Sequence, residues 1–269
     1  MLNKKKYDLF WKQGYIIEKN FFTRNEINRF NNELKDIILA YTAASKKIFK
    51  KKDIYNQFLI DISKKDKKII SYIYDTICYS QSFIRIHSNY KIQKYINYLF
   101  NKKLSSPLYS NLNRVRMDFP KDKTTLYDWH QEVFFTIPKS NMIQTWSPLI
   151  NNTDSKNGTI RILPGSHKLG IPKQKIVKIK NRRIQITLIK RILKKFKPIN
   201  LNAKVGDMIF FSGKLFHSSG NNSSKKVRYS MVGMYHDTQN KNFLPPYLPK
   251  WKHRLMTQEK YFNLESKKW

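Results

Sequence analysis

Phe216-His217-Ser218-Ser219-Gly220-Asn221-Asn222-Ser223-Ser224-Lys225-Lys226-Val227-Arg228-Tyr229-Ser230 comes shortly after the apolar run Asp207-Met208-Ile209-Phe210-Phe211. The small and polar residues from Ser218 to Lys226 read as a turn between two strands. Arg228 stands 11 residues beyond His217, on the strand that follows this turn. A guanidinium at the far end of a metal pocket can grip a dicarboxylate through two parallel N–H bonds, fixing its other end at the metal. The Ser219 hydroxyl can add a donor to the same carboxylate.

The complement of this stretch lies upstream, in Trp129-His130-Gln131-Glu132. His130 and Glu132 are two apart, so on a strand they point to one face. An imidazole beside a carboxylate is half of a hard metal site. His217 on a neighbouring strand would complete the 2-His-1-carboxylate set of non-haem Fe(II) oxygenases, which leaves positions open for a co-substrate and O₂. By itself such a triplet arises by chance in many chains, and a structural or surface histidine is the competing reading.

Around these residues the chain changes texture near residue 105. Residues 1–104 read mainly as helix. Thr23-Arg24-Asn25-Glu26 has capping-box spacing, and Ile27, Phe30, Leu34, Ile37, Ile38 and Tyr41 then recur on one helical face. Ile54 to Ile77 and Tyr90 to Phe100 read as two further helices, with the Lys clusters at 46–52 and 64–68 as solvated faces. From 105 to 240, short β-rich runs (NRVRMDF, MIQTWSPLI, GTIRILP, AKVGDMIFF, VRYSMVGMY) alternate with turn signals. That pattern predicts a sandwich or barrel. Residues 241–269 form a C-terminal tail, and the whole chain, 1–269, reads as one domain.

Composition sets the charge question. The chain has 269 residues, with 53 Lys and Arg against 18 Asp and Glu, a net charge of +35. Arginine supplies only 11 of the 53 basic residues, whereas readers of nucleic-acid bases favour its planar fork. With 40% hydrophobic and 14% aromatic residues the chain is a folded protein and not a disordered polycation. Ser155 to Gly206 holds no acidic residue, and 12 basic residues fall between Lys168 and Lys197, marking 168–200 as a basic insertion in the β region. The lone Cys78 excludes an internal disulfide and fits a reducing compartment. The start lacks the apolar stretch of a secretory signal, and no run approaches the length of a spanning helix. The expected location is cytoplasmic.

In these motifs the sequence resembles the phytanoyl-CoA dioxygenase family of Fe(II)/2-oxoglutarate oxygenases. The pattern His-x-Ser-x-x-Asn-x-Ser-x-x-x-Arg is met at His217, Ser219, Asn222, Ser224 and Arg228. Trp129 to Glu132 is similar to the family's first metal motif. Asn157-Gly158, followed by Pro164-Gly165-Ser166-His167-Lys168, is similar to a second element, and the opening Gly14-Tyr15 strand and helix to a third. The resemblance implies an α+β fold: a double-stranded β-helix (jelly-roll, cupin-like) core with an N-terminal helical layer. It implies Fe(II) held by His130, Glu132 and His217, with 2-oxoglutarate held by Arg228 and Ser219, and with Trp146 and Arg116 lining the pocket. The reaction it implies consumes O₂ and 2-oxoglutarate and hydroxylates a substrate. The family usually has Asp where this chain has Glu132, whose extra methylene requires a shift of strand or rotamer. A carboxylate at that position also argues against halogenation. His167 reads as structural.

The basic insertion points to a small substrate that is anionic, CoA-linked or carrier-tethered. Its rivals are a basic nucleic-acid- or polyanion-binding protein on a β-barrel scaffold and a solvated face of biased composition. The nucleic-acid-repair branch of the oxygenases carries a second Arg six residues past the clamp, and Met234 stands there in this chain.

Overall fold

The computed structural model describes residues 3–42, 53–134, 136–137, 140–172, 177–179, 182–184 and 186–243. The Lys cluster at 46–52, His253, most of the C-terminal tail, and Lys173, Lys175 and Lys180 lie outside the described residues.

The helices come first. Helix α1 (Lys4–Gln13) ends at Gly14, which adopts φ +88. A side chain at Gly14 would meet His167 Nδ1 at 2.5 Å, so the turn and the close approach both require glycine. Strand β1 (Tyr15–Glu18) then leads to α2 (Arg24–Thr42). The capping box forms as expected: Thr23 N donates to Glu26 Oε2 (2.8 Å), and Glu26 N donates to Thr23 Oγ1 (3.2 Å). Ile27, Phe30, Leu34 and Ile38 are buried along one face of α2, while Tyr41 is exposed.

The stretch from Ile54 to Ile77 is not one helix. A π-helical turn (Ile54–Phe58) runs into α3 (Leu59–Lys65), and the chain breaks at Asp66 before α4 (Lys67–Cys78). Asp66 is extended, and its side chain accepts from Lys68 N, so it caps the next helix instead of continuing the last. Helix α5 (Gln81–His87), capped by Ser80, was not expected; α6 (Tyr90–Leu99) matches the reading.

The remaining elements are mostly strands: β2 (Leu108–Asp118), β3 (Met142–Pro148), β4 (Ile160–Ile162), β5 (Val177–Ile179) and β6 (Arg182–Ile184). Helix α7 (Ile186–Lys195) follows, then β7 (Ile199–Asn200), β8 (Met208–Ser212), β9 (His217–Ser219) and β10 (Arg228–Asp237). A five-stranded sheet has the order β1-β8-β3-β10-β2, and a smaller sheet the order β7-β4-β9. All their pairings are antiparallel.

Side-chain alternation decides what each face of the large sheet does. Val115, Met117, Phe210, Tyr229 and Met231 point toward the helices and join one core with Phe30, Leu34 and Ile73. Trp146, Ile209, Phe211, Val232 and Met234 point the other way and meet Ile160 and Ile162 of the small sheet. Two antiparallel sheets therefore face each other, in the jelly-roll manner, with helices behind the larger one. Strand β10 is buried along its whole length, so its sequence shows no simple alternation of apolar and polar residues.

Candidate metal centre

His130, Glu132 and His217 each offer a ligand atom, and these atoms all lie within 4.8 Å of one another. The backbone draws them together. His130 and His217 form an isolated antiparallel bridge with reciprocal N–H···O bonds of 3.0 Å each. Glu132 does not share a regular strand with His130. It opens a single 3-10 turn (Glu132–Phe134), and its Oε2 lies 3.4 Å from both His130 Nε2 and His217 Nε2. The longer carboxylate is thus accommodated by the chain turning away from the strand at this point.

The donor set suits a metal. His130 Nδ1 sits 2.6 Å from Asp128 O, and His217 Nδ1 sits 3.0 Å from Leu215 O. A carbonyl only accepts, so each Nδ1 carries the proton and each Nε2 presents its lone pair. Gln144 Nε2 donates to Glu132 Oε2 (3.1 Å) and fixes the carboxylate. Burial pushes the Glu132 acid up, and the imidazoles, when protonated, outweigh it and hold it well below the usual carboxylate range, so the carboxylate favours positive charge at this point. Burial lowers the pKa of His217, which favours its neutral, ligating form.

A cavity of about 170 Å³ opens from these three residues, and Arg116, Trp146, Ser219 and Arg228 all line it. Arg228 is 3% exposed, and its Nη2 meets Asp118 Oδ2 at 2.7 Å. Its Nε and Nη1 are buried without a hydrogen-bond partner among the described residues. Ser219 Oγ accepts from Tyr127 N (3.2 Å), which leaves its O–H to donate. Arg116 meets Asp118 Oδ1 at 2.7 Å, donates to Thr125 O (2.6 Å) and lies 5.0 Å over the Tyr127 ring. It is neither simply exposed nor unpaired.

The turn between His217 and Arg228 is built by the motif residues. Asn222 Nδ2 donates to Asp118 O (2.9 Å) and Lys226 O (2.8 Å), while its Oδ1 accepts from Ser224 N (3.1 Å). A side chain on Gly158 would meet Gly220 O at 2.4 Å, so the Asn157-Gly158 turn and the turn after β9 touch through backbone alone. His167 bonds Trp11 O through Nε2 (3.0 Å) and is not among the residues lining the cavity.

Sequence reasoning missed Asp118 and Gln144. Both were within reach, since each lies two residues from a named candidate, Arg116 or Trp146, on the same strand face. It also missed Ser218, which is among the residues lining the cavity and whose buried Oγ has no partner among the described residues.

Facing antiparallel sheets with a two-histidine, one-carboxylate cluster beside a buried arginine define a jelly-roll protein with a candidate mononuclear metal centre. The chain belongs to the phytanoyl-CoA dioxygenase family, whose sequence profile matches residues 10–230. It is 24% identical over 226 residues to the peroxisomal phytanoyl-CoA dioxygenase of Bos taurus, a match covering 81% of this chain and 63% of that protein. The chain thus spans less than two thirds of that relative's length. In fold it is similar to the epimerase SnoN, crystallised with Fe3+, alpha-ketoglutarate and nogalamycin RO (TM-score 0.61, 16% identity, 87% of this chain and 83% of that one). It is likewise similar to EctD from S. alaskensis with 2-oxoglutarate and 5-hydroxyectoine (TM-score 0.61, 17% identity, 89% and 77%).

Proposed function

We propose that the protein is a non-haem Fe(II)- and 2-oxoglutarate-dependent dioxygenase that hydroxylates a small, anionic substrate. The observation that carries this reading is the pair of unpartnered Arg228 donors in the same cavity as His130, Glu132 and His217. A metal end and a carboxylate end are what a 2-oxo dicarboxylic acid needs. His130, Glu132 and His217 would hold the iron, and Arg228 with Ser219 would receive the distal carboxylate. When bound, iron supplies O₂ activation coupled to decarboxylation of 2-oxoglutarate to succinate and CO₂.

The protein's own residues supply order and dryness. Asp128 O and Leu215 O orient the imidazoles, and Gln144 orients Glu132. Trp146, Val232 and Met234 wall the cavity with apolar surface, which offers water no hydrogen bonds. All parts of this unit come from 1–269 acting as one domain. No described helix is long and apolar enough to cross a membrane. With Cys78 half-buried and free, the proposed setting is the reducing cytoplasm.

Support for the anionic substrate comes from the basic insertion. Ile189, Ile192, Leu193 and Phe196 of α7 and its end pack on Trp129 and Phe216, the residues just before His130 and His217. The opposite side of the helix exposes Lys190, Arg191, Lys194 and Lys195. The helix that packs next to the centre thus carries positive charge on its outer side, and a phosphorylated, CoA-linked or carrier-tethered molecule approaching past it would gain from that field.

The test is succinate release from 2-oxoglutarate with Fe(II) and O₂, screened over pools of small molecules. Stimulated release by wild type and none by His130→Ala is expected. Equal background from both under every pool would overturn the reading.

A further inference from the structure

Asp118 ends β2 directly opposite Arg228, which begins β10. The carboxylate is 1% exposed and is shared: Oδ1 meets Arg116 Nη2 and Oδ2 meets Arg228 Nη2, both at 2.7 Å. Thr125 Oγ1 donates to the same Oδ1 (3.1 Å), and Asn222 holds the Asp118 carbonyl. Two guanidinium groups therefore surround one carboxylate in a buried setting, and the cluster is one negative charge short. A buried cation without a full counter-charge is costly, so the arrangement calls for a further anion.

The geometry says where that anion would sit. Asp118 occupies one end of the Arg228 fork, Nη2, and leaves Nε and Nη1 unpartnered. Nη1 stands at the tip of the planar guanidinium, so its N–H groups are donors that a further carboxylate could take. Arg228 also lines the cavity that holds His130, Glu132 and His217. We propose that Asp118 is a positioning residue: by pairing with Nη2 it holds the unpartnered Nη1 donors of Arg228 toward the distal carboxylate of 2-oxoglutarate. The inference rests on the co-substrate reading above.

Charge alone predicts the opposite result, which makes the idea testable. Replacing Asp118 by Asn removes a negative charge near the anion site, and a purely electrostatic role would tighten anion binding. A positioning role loosens it, because Arg228 loses the partner that orients it. The measurement is calorimetric titration of 2-oxoglutarate into Mn(II)-loaded protein, with 2-oxobutanoate, which has the keto-acid end but no distal carboxylate, in parallel. For Asp118→Asn we expect roughly tenfold weaker binding of 2-oxoglutarate and unchanged binding of 2-oxobutanoate. Unchanged or tighter 2-oxoglutarate binding, or equal loss of both ligands, would overturn the proposal. If Asp118→Asn does not fold, Thr125→Val removes only the hydroxyl that steadies Oδ1. A twofold to threefold loss, on the order expected for one weak hydrogen bond, should then fall on 2-oxoglutarate alone, and no loss counts against the idea. Wild type that fails to bind 2-oxoglutarate overturns both the function and this inference, whereas wild type that binds it regardless of Asp118 overturns only the latter.

Discussion

Leu112 adopts φ +51, a left-handed conformation that costs a leucine roughly 1–2 kcal/mol. It sits where the register between β2 and β10 shifts, between Val232 and Met234, and it lines the cavity while 41% exposed. Asn113 holds the bulge in place: its Oδ1 accepts from Met234 N (3.0 Å), standing in for a backbone acceptor. Bulges of this kind re-aim a side chain, and here the side chain is aimed at the cavity. The strain has a measurable sign. Leu112→Gly and Leu112→Ala both delete the side chain, but only Gly relaxes the backbone. Urea denaturation should find the Gly variant more stable by about 1 kcal/mol, reversing the usual order of the two residues. An Ala variant of equal or greater stability would show that no strain is stored there. At this scale His130, Glu132, His217 and Arg228 were legible because each stands in a short pattern of fixed spacing. Asp118 was legible only as a neighbour of Arg116 on the same strand face; its pairing with Arg228 is set by strand register, which the sequence does not print.

At the scale of elements, β10 shows how far patterning carries. Its apolar run marks a strand, but the sequence cannot say that helices cover one face and a polar cavity the other. The helical region was read more coarsely than it is built, since the Asp66 cap divides a stretch that keeps one helical period throughout. The far end of β10 carries a pH-sensitive group. His236 is fully buried, with Nδ1 2.6 Å from Ser140 Oγ and Nε2 3.2 Å from Asn111 Oδ1. Burial lowers its pKa from the ordinary 6.5 to about 4. The unfolded chain therefore binds a proton between pH 6.5 and about 4 that the folded protein refuses. Stability should fall as pH drops through that window and level off below it. His236→Gln should flatten this part of the profile in denaturant titrations; an unaltered slope would mean the residue does not contribute.

Across the whole molecule the net charge is +35. Among the described residues most lysines are exposed, and their field is screened within about 8 Å at physiological salt. The basic face of α7 is different, because its apolar side is anchored beside the centre. Replacing Lys190, Lys194 and Lys195 together by Gln should raise KM for the substrate while leaving uncoupled 2-oxoglutarate turnover unchanged. An unaltered KM, measured at low salt where the field reaches furthest, would reduce the insertion to a solvated surface.

The backbone bridge between His130 and His217 has a consequence for assembly of the centre. Because the two residues are stitched to each other by a reciprocal pair of bonds, two chain segments 87 positions apart in sequence keep a fixed separation at this point. Only rotation about side-chain bonds can carry either imidazole away, and the carbonyls at Asp128 and Leu215 oppose it. An arriving ion would meet ligands that folding has already brought together, and its affinity would not be reduced by the need to order them.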